Sequence, residues 1–137
     1  YQSLPGGGTT DYAVSIYHEA IKNIEFDCFL AAKTTLPMIY MDDAIRATLE
    51  LMDAPKERIS IRTSYNIAGM SFNPEEMAAS IKEHYPDFKI KYNPDFRQGI
   101  ADSWPKIIND TEARNDWNWK PEYDLKLMTK TMIENLK

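Results

Sequence analysis

Cysteine, excess positive charge and long apolar runs are what this sequence lacks. Cys28 is its one cysteine, which excludes an internal disulfide and a cysteine-based metal site. The net charge is −5 and no stretch gathers Lys and Arg, so nucleic acid and anionic membranes are excluded as partners. No apolar run reaches transmembrane length, and no signal-peptide pattern is present. The length of 137 residues and the hydrophobic content of 43% predict one globular domain with a core.

The common catalytic and cofactor motifs are also missing. The sequence contains no glycine-rich dinucleotide turn, no P-loop, no zinc-protease motif and no Cys-x-x-Cys. Tyr85 and Lys89 have Tyr-x-x-x-Lys spacing, but Pro86 lies between them and breaks the helix that would align them. His18 and His84 lie on different predicted helices without a metal-ligand partner one turn away, so both are predicted to be surface residues. With no visible nucleophile or cofactor loop, and an opening that reads as the middle of a loop, the chain is expected to be a fragment of a longer protein.

The segment 5–14 combines three glycines, two threonines and an aspartate directly before a helical pattern. Glycine permits positive φ and close approach to a ligand, and the first amides of a helix lack partners and bind anions. An acid at the same place, Asp11, can hold a cation, so such a loop suits a zwitterion such as an amino acid. The alternative is a flexible linker in which Thr10 or Asp11 merely caps the helix. The residues alone favour the cap, and the choice stays open at this point.

Apolar residues repeat at helical spacing in several places, and capping residues mark the helix ends. Asn73 in the cap position, followed by Pro74, is the clearest start. Asp42 is predicted to cap the second helix and Asp43 to lie in its first turn, in preference to a pair of acids for proton transfer. Asn118 is predicted to end a helix in the left-handed conformation. The predicted helices cover 12–22, 43–52, a third from Pro74 to before Pro86, a fourth from 110 or 111 to 117, and 125–136.

Short runs of β-branched and aromatic residues predict strands between these helices. The run 36–41 carries no charge, as in a strand buried on both faces, but Pro37 confines it to a strand start or a sheet edge. The segment 93–109 holds aromatics, an arginine and acids without a regular period, and is predicted to be an irregular loop that lines a site. Residues 1–8 are predicted to be loop as well. The predicted strands cover 26–30, 36–41, 59–61, 64–67 and 88–92.

Five stretches that together span the chain carry a family resemblance. The loop Leu-Pro-Gly-Gly-Gly-Thr-Thr-Asp and the later Asp-Ser-Trp-Pro are specific, whereas the Asp-Asp-Ala helix is shared more widely. Together they resemble the C-terminal part of L-threonine 3-dehydrogenases of the extended short-chain dehydrogenase/reductase type, which are relatives of UDP-galactose epimerase. The implied fold is α/β, present here as an α+β fragment: the C-terminal substrate-binding lobe, one domain over 1–137, without the N-terminal Rossmann domain. The five stretches are 4–14, 36–48, 65–72, 95–105 and 116–125.

The resemblance implies an enzyme that oxidises L-threonine with NAD to 2-amino-3-ketobutyrate. NAD and the catalytic Tyr and Lys would belong to the absent Rossmann domain, which is an expected partner, and the fragment alone is expected to be inactive. Gly8, Thr9, Thr10 and Asp11 match the family's substrate loop, with Asp11 facing the ammonium and the loop amides and threonine hydroxyls taking the carboxylate. Trp104 would narrow the pocket to a small substrate. A homo-oligomer is expected, in the cytoplasm or, in an animal, in the mitochondrial matrix.

Two other functions stay open. A sugar-nucleotide epimerase or dehydratase shares this lobe, and Arg97 would then meet a phosphate, unless it forms an ion pair with Asp95 or Asp102. A non-enzymatic binding module also fits a chain without a cofactor loop or catalytic base. Asn118 departs from the glycine that the family usually has there, at a small expected cost in stability, because the left-handed cap tolerates Asn.

Overall fold

This computed structural model describes residues 4–137 of the chain. The described residues contain six helices and four short strands. The predicted loop at residues 1–3 lies outside the described residues. The mixture of helices and strands confirms the predicted α+β class. In chain order the elements are α1 (Tyr12–Ile21), β1 (Phe26–Cys28), β2 (Leu36–Met38), α2 (Met41–Asp53), β3 (Met70–Phe72), α3 (Pro74–Lys82), β4 (Ile90–Tyr92), α4 (Phe96–Asp102), α5 (Thr111–Trp117) and α6 (Leu125–Leu136).

The strands form two separate pairs. β1 and β4 run parallel, with Phe26 opposite Ile90, and β2 and β3 run antiparallel, with Leu36 opposite Phe72. Pro37 lies in β2, where a two-stranded sheet has a free edge that tolerates the missing amide, as predicted. Each strand has three residues, so the sheets contribute few hydrogen bonds and the helices carry most of the packing.

Three helices, α1, α3 and α6, pack on one another to form the main core. Ile16 of α1 and Met77 of α3 are fully buried there. The hydroxyl groups of Tyr17 and Thr129 lie 2.9 Å apart, and the hydroxyl of Ser80 donates to the same Thr129 oxygen at 2.9 Å. Because these residues come from α1, α6 and α3, the buried polar contact fixes the three helices relative to one another. It thereby holds α1, whose first turn follows the glycine loop.

Several helix ends lie where the sequence predicts them. The Asn73 side chain accepts from the Glu76 amide at 3.0 Å, and the Glu76 carboxylate accepts from the Asn73 amide at 2.9 Å, which is a complete capping box. Asn118 ends α5 with φ of 61°, in the predicted left-handed conformation. α6 has the predicted bounds, and Asp124 caps it by accepting from the Leu127 amide at 2.7 Å. Capping depends on residues a few positions apart, so the local sequence was sufficient.

The predicted start of α2 is wrong. The helix begins at Met41, and Tyr40 occupies the N-cap position with an extended backbone, so Asp42 lies inside the first turn and does not cap. Ile45 and Leu49, two members of the predicted apolar pattern, are exposed, whereas Asp43 is buried. The periodicity thus identified the helix correctly but not the face that the described chain buries.

Three predictions between α2 and α5 are also wrong. Residues 59–61 and 64–67 are not strands; the strand of this region is β3, which pairs with β2. The loop is held by Asp116, whose carboxylate accepts from the amide and hydroxyl of Ser60 at 2.8 and 2.7 Å and from the Tyr65 hydroxyl. A strand forms only where a neighbouring strand can pair with it, and the β-propensity of single residues does not predict that neighbour.

The segment 93–109, predicted to be an irregular loop, contains the helix α4, because Asp95 caps a helix there.

Asp43 fastens α2 to the segment before α6. Its carboxylate accepts from the backbone amides of Glu122 and Tyr123 at 3.0 and 2.9 Å, and from Arg46 at 2.7 Å. The Arg46 guanidinium also lies 4.5 Å from the ring centroid of Trp119, which is fully buried. Burial by itself would raise the pKa of Asp43, but the amide of Tyr123 and the Arg46 side chain outweigh it and hold the pKa below its ordinary value.

We expect Asp43 to make the stability of the chain fall at acidic pH. A carboxyl whose pKa is lower in the folded state stabilises the fold above its unfolded value of 3.8, and the contribution is lost as pH falls through the folded pKa. Urea unfolding of Asp43→Asn should give a free energy lower by about 2 kcal/mol at pH 7, and a weaker dependence on pH below about 4. Asp42→Asn, an exposed neighbour, is the control and should behave as the wild type. Equal pH dependence in Asp43→Asn and the wild type would contradict the assignment.

Candidate substrate site

The glycine loop folds around the carboxylate of Asp11. Gly7 has φ of +98°, a conformation that glycine adopts readily. One carboxylate oxygen, Oδ2 of Asp11, accepts from the amides of Gly7 and Gly8 at 2.7 and 2.8 Å, and the Asp11 amide donates to the Gly8 carbonyl at 3.1 Å. Asp11 occupies the N-cap position of α1 but makes no side-chain bond to the helix amides. The interpretation of Asp11 as a simple helix cap is therefore wrong, because its carboxylate closes the loop instead.

This closure changes what the loop offers to a ligand. The sequence-based expectation is that loop amides take a substrate carboxylate, yet the amides of Gly7 and Gly8 already donate to Asp11. A ligand carboxylate would have to displace Asp11 from them. The second carboxylate oxygen of Asp11, Oδ1, makes neither of these two bonds. One carboxylate oxygen of Asp11 therefore accepts hydrogen bonds from the loop amides, and the other is available to a hydrogen-bond donor of a ligand.

A cavity of about 510 Å³ lies between the start of α1, the end of β2 and α6. Its polar lining includes Thr10, Asp11, Tyr40 and Asp42. Methionine, isoleucine and phenylalanine side chains form much of the remaining wall, namely Met38, Ile39, Met41, Phe72, Met128 and Met132. A small ligand with one charged group and an apolar part fits such a lining.

The structure brings some of the sequence-predicted site residues together and not others. Thr10 and Asp11 line the cavity. Gly8 is exposed, and a Cβ there would meet the Asp11 carboxylate at 3.5 Å, an ordinary contact distance. Thr9 is buried, with 8% of its surface exposed, and Trp104 is 42% exposed just after α4. Neither Thr9 nor Trp104 is among the described residues that line this cavity.

Sequence reasoning missed two lining residues at the junction of β2 and α2. Tyr40 is buried, and its ring stacks on that of Tyr123 with centroids 4.2 Å apart. Asp42 was interpreted as a cap, but it lines the cavity and accepts from the Tyr123 hydroxyl at 3.4 Å. Burial raises the pKa of Tyr123, and the charge of Asp42 adds to the effect. The position directly after a strand was the available signal, since such ends often carry site residues.

Arg97 forms an ion pair with Asp95, which was one of its two predicted acidic partners. Its Nη2 lies 2.6 Å from the Asp95 carboxylate. The other candidate, Asp102, accepts instead from the side chain of Gln98 at 2.7 Å. Gln98 also accepts from the Ala31 amide at 2.8 Å, which ties α4 to the segment after β1.

An apolar surface extends from this cavity along α2. Met41, Ile45, Leu49 and Met52 are 66%, 52%, 54% and 75% exposed, and their spacing places them on one side of the helix. A second cavity, of about 400 Å³, shares Ile39 with the first cavity. A surface helix normally turns its apolar stripe inward, so the exposed apolar stripe of α2 is the reverse of the normal arrangement.

The remaining candidates from the sequence have ordinary environments. Cys28 is buried, as predicted, and burial raises the pKa of its thiol. His84 is exposed, as predicted, whereas His18 is only half-exposed and its Nε2 is buried without a hydrogen-bond partner among the described residues. Residues 4–137 contain no cluster of three acidic, histidine or cysteine side chains placed to hold a metal ion. No helix in that range is long and apolar enough to cross a membrane.

A solved structure of low sequence identity shares the architecture of this chain. No protein-family model matches it. ADP-L-glycero-D-manno-heptose-6-epimerase of Helicobacter pylori has a similar fold, with a TM-score of 0.69 over 90% of this chain and 37% of its own, at 21% identity. The fold of this chain is therefore shared with part of that epimerase.

Relatives of higher sequence identity carry the name L-threonine dehydrogenase. The mitochondrial L-threonine 3-dehydrogenase of Bos taurus is 55% identical over 96% of this chain. The GalE-like L-threonine dehydrogenase of Cupriavidus necator is 56% identical, with a TM-score of 0.96 over 99% of this chain and 49% of its own. A monomeric L-threonine 3-dehydrogenase from a metagenome has a TM-score of 0.94, 51% identity and coverage of 99% of this chain and 44% of its own. The chain matches the C-terminal portion of these L-threonine dehydrogenases. It spans about a third of the bovine relative's length, 35%.

Proposed function

We propose that residues 1–137 are the C-terminal substrate-binding domain of an NAD-dependent L-threonine 3-dehydrogenase, which oxidises L-threonine to 2-amino-3-ketobutyrate. The observation that carries the proposal is the cavity in which Thr10 and Asp11 of the glycine loop meet an apolar wall. A free carboxylate oxygen suits an ammonium, a threonine hydroxyl suits a carboxylate or hydroxyl, and the apolar wall suits a methyl group. The similarity of the chain to L-threonine dehydrogenases supports the same substrate.

We assign Asp11 to the ammonium of L-threonine and Thr10 to a polar group of the same substrate. Both line the cavity, and Asp11 retains an oxygen that makes neither of the two loop bonds. Gly8 and Thr9 belong to the same loop and shape it around Asp11. Trp104 follows α4 and is exposed, so we assign it to a wall that forms against the substrate when the rest of the protein is present.

NAD does not fit the described residues of this chain. A glycine loop that cradles a pyrophosphate needs free backbone amides, but the amides of Gly7 and Gly8 donate to the carboxylate of Asp11. The acid would also repel phosphate. We therefore assign NAD, together with the catalytic proton chemistry, to an N-terminal Rossmann domain of the whole protein. No part of the oxidation is assigned to residues of this chain beyond holding and orienting L-threonine.

The Rossmann domain is also the proposed occupant of the apolar surface along α2. The four exposed apolar side chains would lose their contact with water on docking, and burial of such side chains is favourable by about 1.5–3 kcal/mol each. Homo-oligomerisation remains a separate proposal, since one solved relative is described as monomeric. We assign the protein to the mitochondrial matrix if its source is an animal and to the cytoplasm otherwise.

The ion pair of Arg97 disfavours the sugar-nucleotide alternative. An arginine that binds a diphosphate must present its nitrogens to the ligand, whereas Arg97 presents them to Asp95. A non-enzymatic binding module is disfavoured by the high similarity of the chain to L-threonine dehydrogenases.

A chimera tests the proposed substrate. Residues 4–137 would replace the matching C-terminal part of the Cupriavidus necator relative, and NADH formation would be followed at 340 nm. L-Threonine should support turnover, whereas UDP-galactose should be neither oxidised nor epimerised. The unaltered relative is the control. A folded, NAD-binding chimera that ignores L-threonine, or one that turns over the sugar nucleotide, would contradict the proposal.

A further inference from the structure

Two residues at the end of β2 belong to the walls of both cavities. Met38 and Ile39, here called the shared wall, line the first cavity, which is assigned to the substrate, and also the second cavity. Gly69 lines the second cavity and is not among the described residues that line the first. Gly69 therefore meets the shared wall from the side of the second cavity.

The space beside Gly69 has no room for a side chain. A Cβ placed there would lie 2.6 Å from the carbonyl oxygen of Met38, and 2.9 and 3.0 Å from Cα and Cγ1 of Ile39. Two of these three atoms are backbone, so rotation of a side chain would not relieve the contact. Among the described glycines, Gly7 alone has a positive φ. Position 69 therefore requires glycine because of close packing and not because of its backbone angles.

Gly69 is held in place from both sides along the chain. The indole nitrogen of Trp119, which is fully buried, donates to the carbonyl oxygen of Ala68 at 3.0 Å. On the other side of Gly69, Met70 pairs with Met38 in the ladder of β2 and β3. Since both neighbours of Gly69 are fastened, a side chain at position 69 would displace the shared wall, which borders the first cavity.

We propose that Gly69 is a positioning residue: because it has no side chain, the shared wall stays back and leaves room for the methyl group of L-threonine. The inference rests on the proposed function, which assigns L-threonine to the first cavity. Asp11 is assigned to the ammonium of the substrate, and an apolar wall is the surface that suits its methyl group. A pocket discriminates one methyl group by roughly ten- to two-hundredfold, so a small displacement of the wall is sufficient to change the preference.

The substitution Gly69→Ala, made in the chimera described above, tests this role with L-threonine and L-serine, which differ by that one methyl group. The ratio of kcat/KM for L-threonine to kcat/KM for L-serine should fall at least about tenfold, mainly through a higher KM for L-threonine. The affinity for NAD should not change. Gly99→Ala is the matched control: beyond the backbone of its own helix, a Cβ there would meet no described atom within 4 Å, so the ratio should keep its wild-type value.

The ratio of the two substrates decides the proposal. A fall confined to Gly69→Ala supports it, because general damage to the enzyme would not distinguish the two substrates. An unchanged ratio, whether both activities are lost equally or neither is lost, would overturn it, as would the same fall in Gly99→Ala.

A second variant decides the proposal if Gly69→Ala does not fold. Met38→Ala shortens a side chain of the shared wall and so enlarges the first cavity. It should raise kcat/KM for the longer 2-amino-3-hydroxypentanoate relative to L-threonine by roughly tenfold, and an unchanged preference would overturn the proposal. Oxidation of L-threonine by the chimera without these substitutions is measured first, so failure of the proposed function is distinguishable from failure of this inference.

Discussion

The 137-residue chain by itself is expected to form no NADH from L-threonine and NAD, and to associate through its exposed apolar face. The described residues offer no free phosphate cradle, since the amides of Gly7 and Gly8 donate to Asp11. The stripe on α2 is 52–75% exposed at Met41, Ile45, Leu49 and Met52. Water disfavours such a surface, which another copy or a partner domain would cover.

Light scattering over a dilution series should detect the self-association, and a separately expressed N-terminal domain of the Cupriavidus necator relative should displace it and restore NADH formation. Leu49→Lys should weaken both effects by placing a charge in the stripe. Leu127→Lys makes the same change at an apolar side chain of α6 that is 41% exposed, and should have no effect. A monodisperse monomer that ignores the N-terminal domain would argue against both the docking face and the two-domain enzyme. Sustained turnover by the chain alone would contradict the assignment of NAD elsewhere.

Substitution of Asp11 is expected to cause the largest single-residue loss of threonine oxidation in the whole enzyme. Asp11→Asn keeps an oxygen that accepts from Gly7 and Gly8 but removes the charge that we assign to the substrate ammonium. A charge-assisted hydrogen bond is typically worth about 1.5–3 kcal/mol, so kcat/KM for L-threonine should fall roughly ten- to a hundredfold. Asp11→Ala also removes both loop bonds, and should cost about a further tenfold by loosening the loop.

The affinity for NAD separates this role of Asp11 from general damage. It should be nearly unchanged in both variants, because NAD is assigned to the other domain. Asp42→Asn is the matched control: it removes one charge from the lining of the same cavity without touching the loop amides, and should have a smaller effect. If Asp11→Asn keeps the full kcat/KM and only Asp11→Ala loses it, the residue orders the loop and does not contact the substrate.

Short-range features of the structure could be predicted because their causes lie a few residues apart. Asn73 and Glu76 form the capping box that their spacing implies, and Asn118 takes the left-handed conformation at the end of α5. The ion pair of Arg97 with Asp95 is also a short-range feature, since the two residues lie two positions apart. Sequence alone did not distinguish Asp95 from Asp102 as the partner, because that choice depends on Gln98 and on the Phe29 carbonyl.

The candidate site was only partly predictable. Resemblance to a family marked Thr10 and Asp11, and both line the cavity. Nothing in the sequence placed Tyr40 and Asp42 in the lining of the same cavity, because they lie about thirty positions further along the chain. The sequence pattern of the glycine loop also did not reveal that one carboxylate oxygen of Asp11 accepts hydrogen bonds from the amides of the loop itself.

The sequence by itself determined where α3 begins, where α5 ends and both ends of α6, and it marked the glycine loop as the candidate for the polar groups of a site. These properties follow from local periodicity, capping and glycine content, which act over a few residues. Only the tertiary structure decided which side of α2 is buried, which strands find partners, and which acid holds Arg97. Those outcomes depend on surfaces brought together from distant parts of the chain: Asp43 turns inward because the amides of Glu122 and Tyr123 meet it there, and the apolar stripe of α2 is left facing outward.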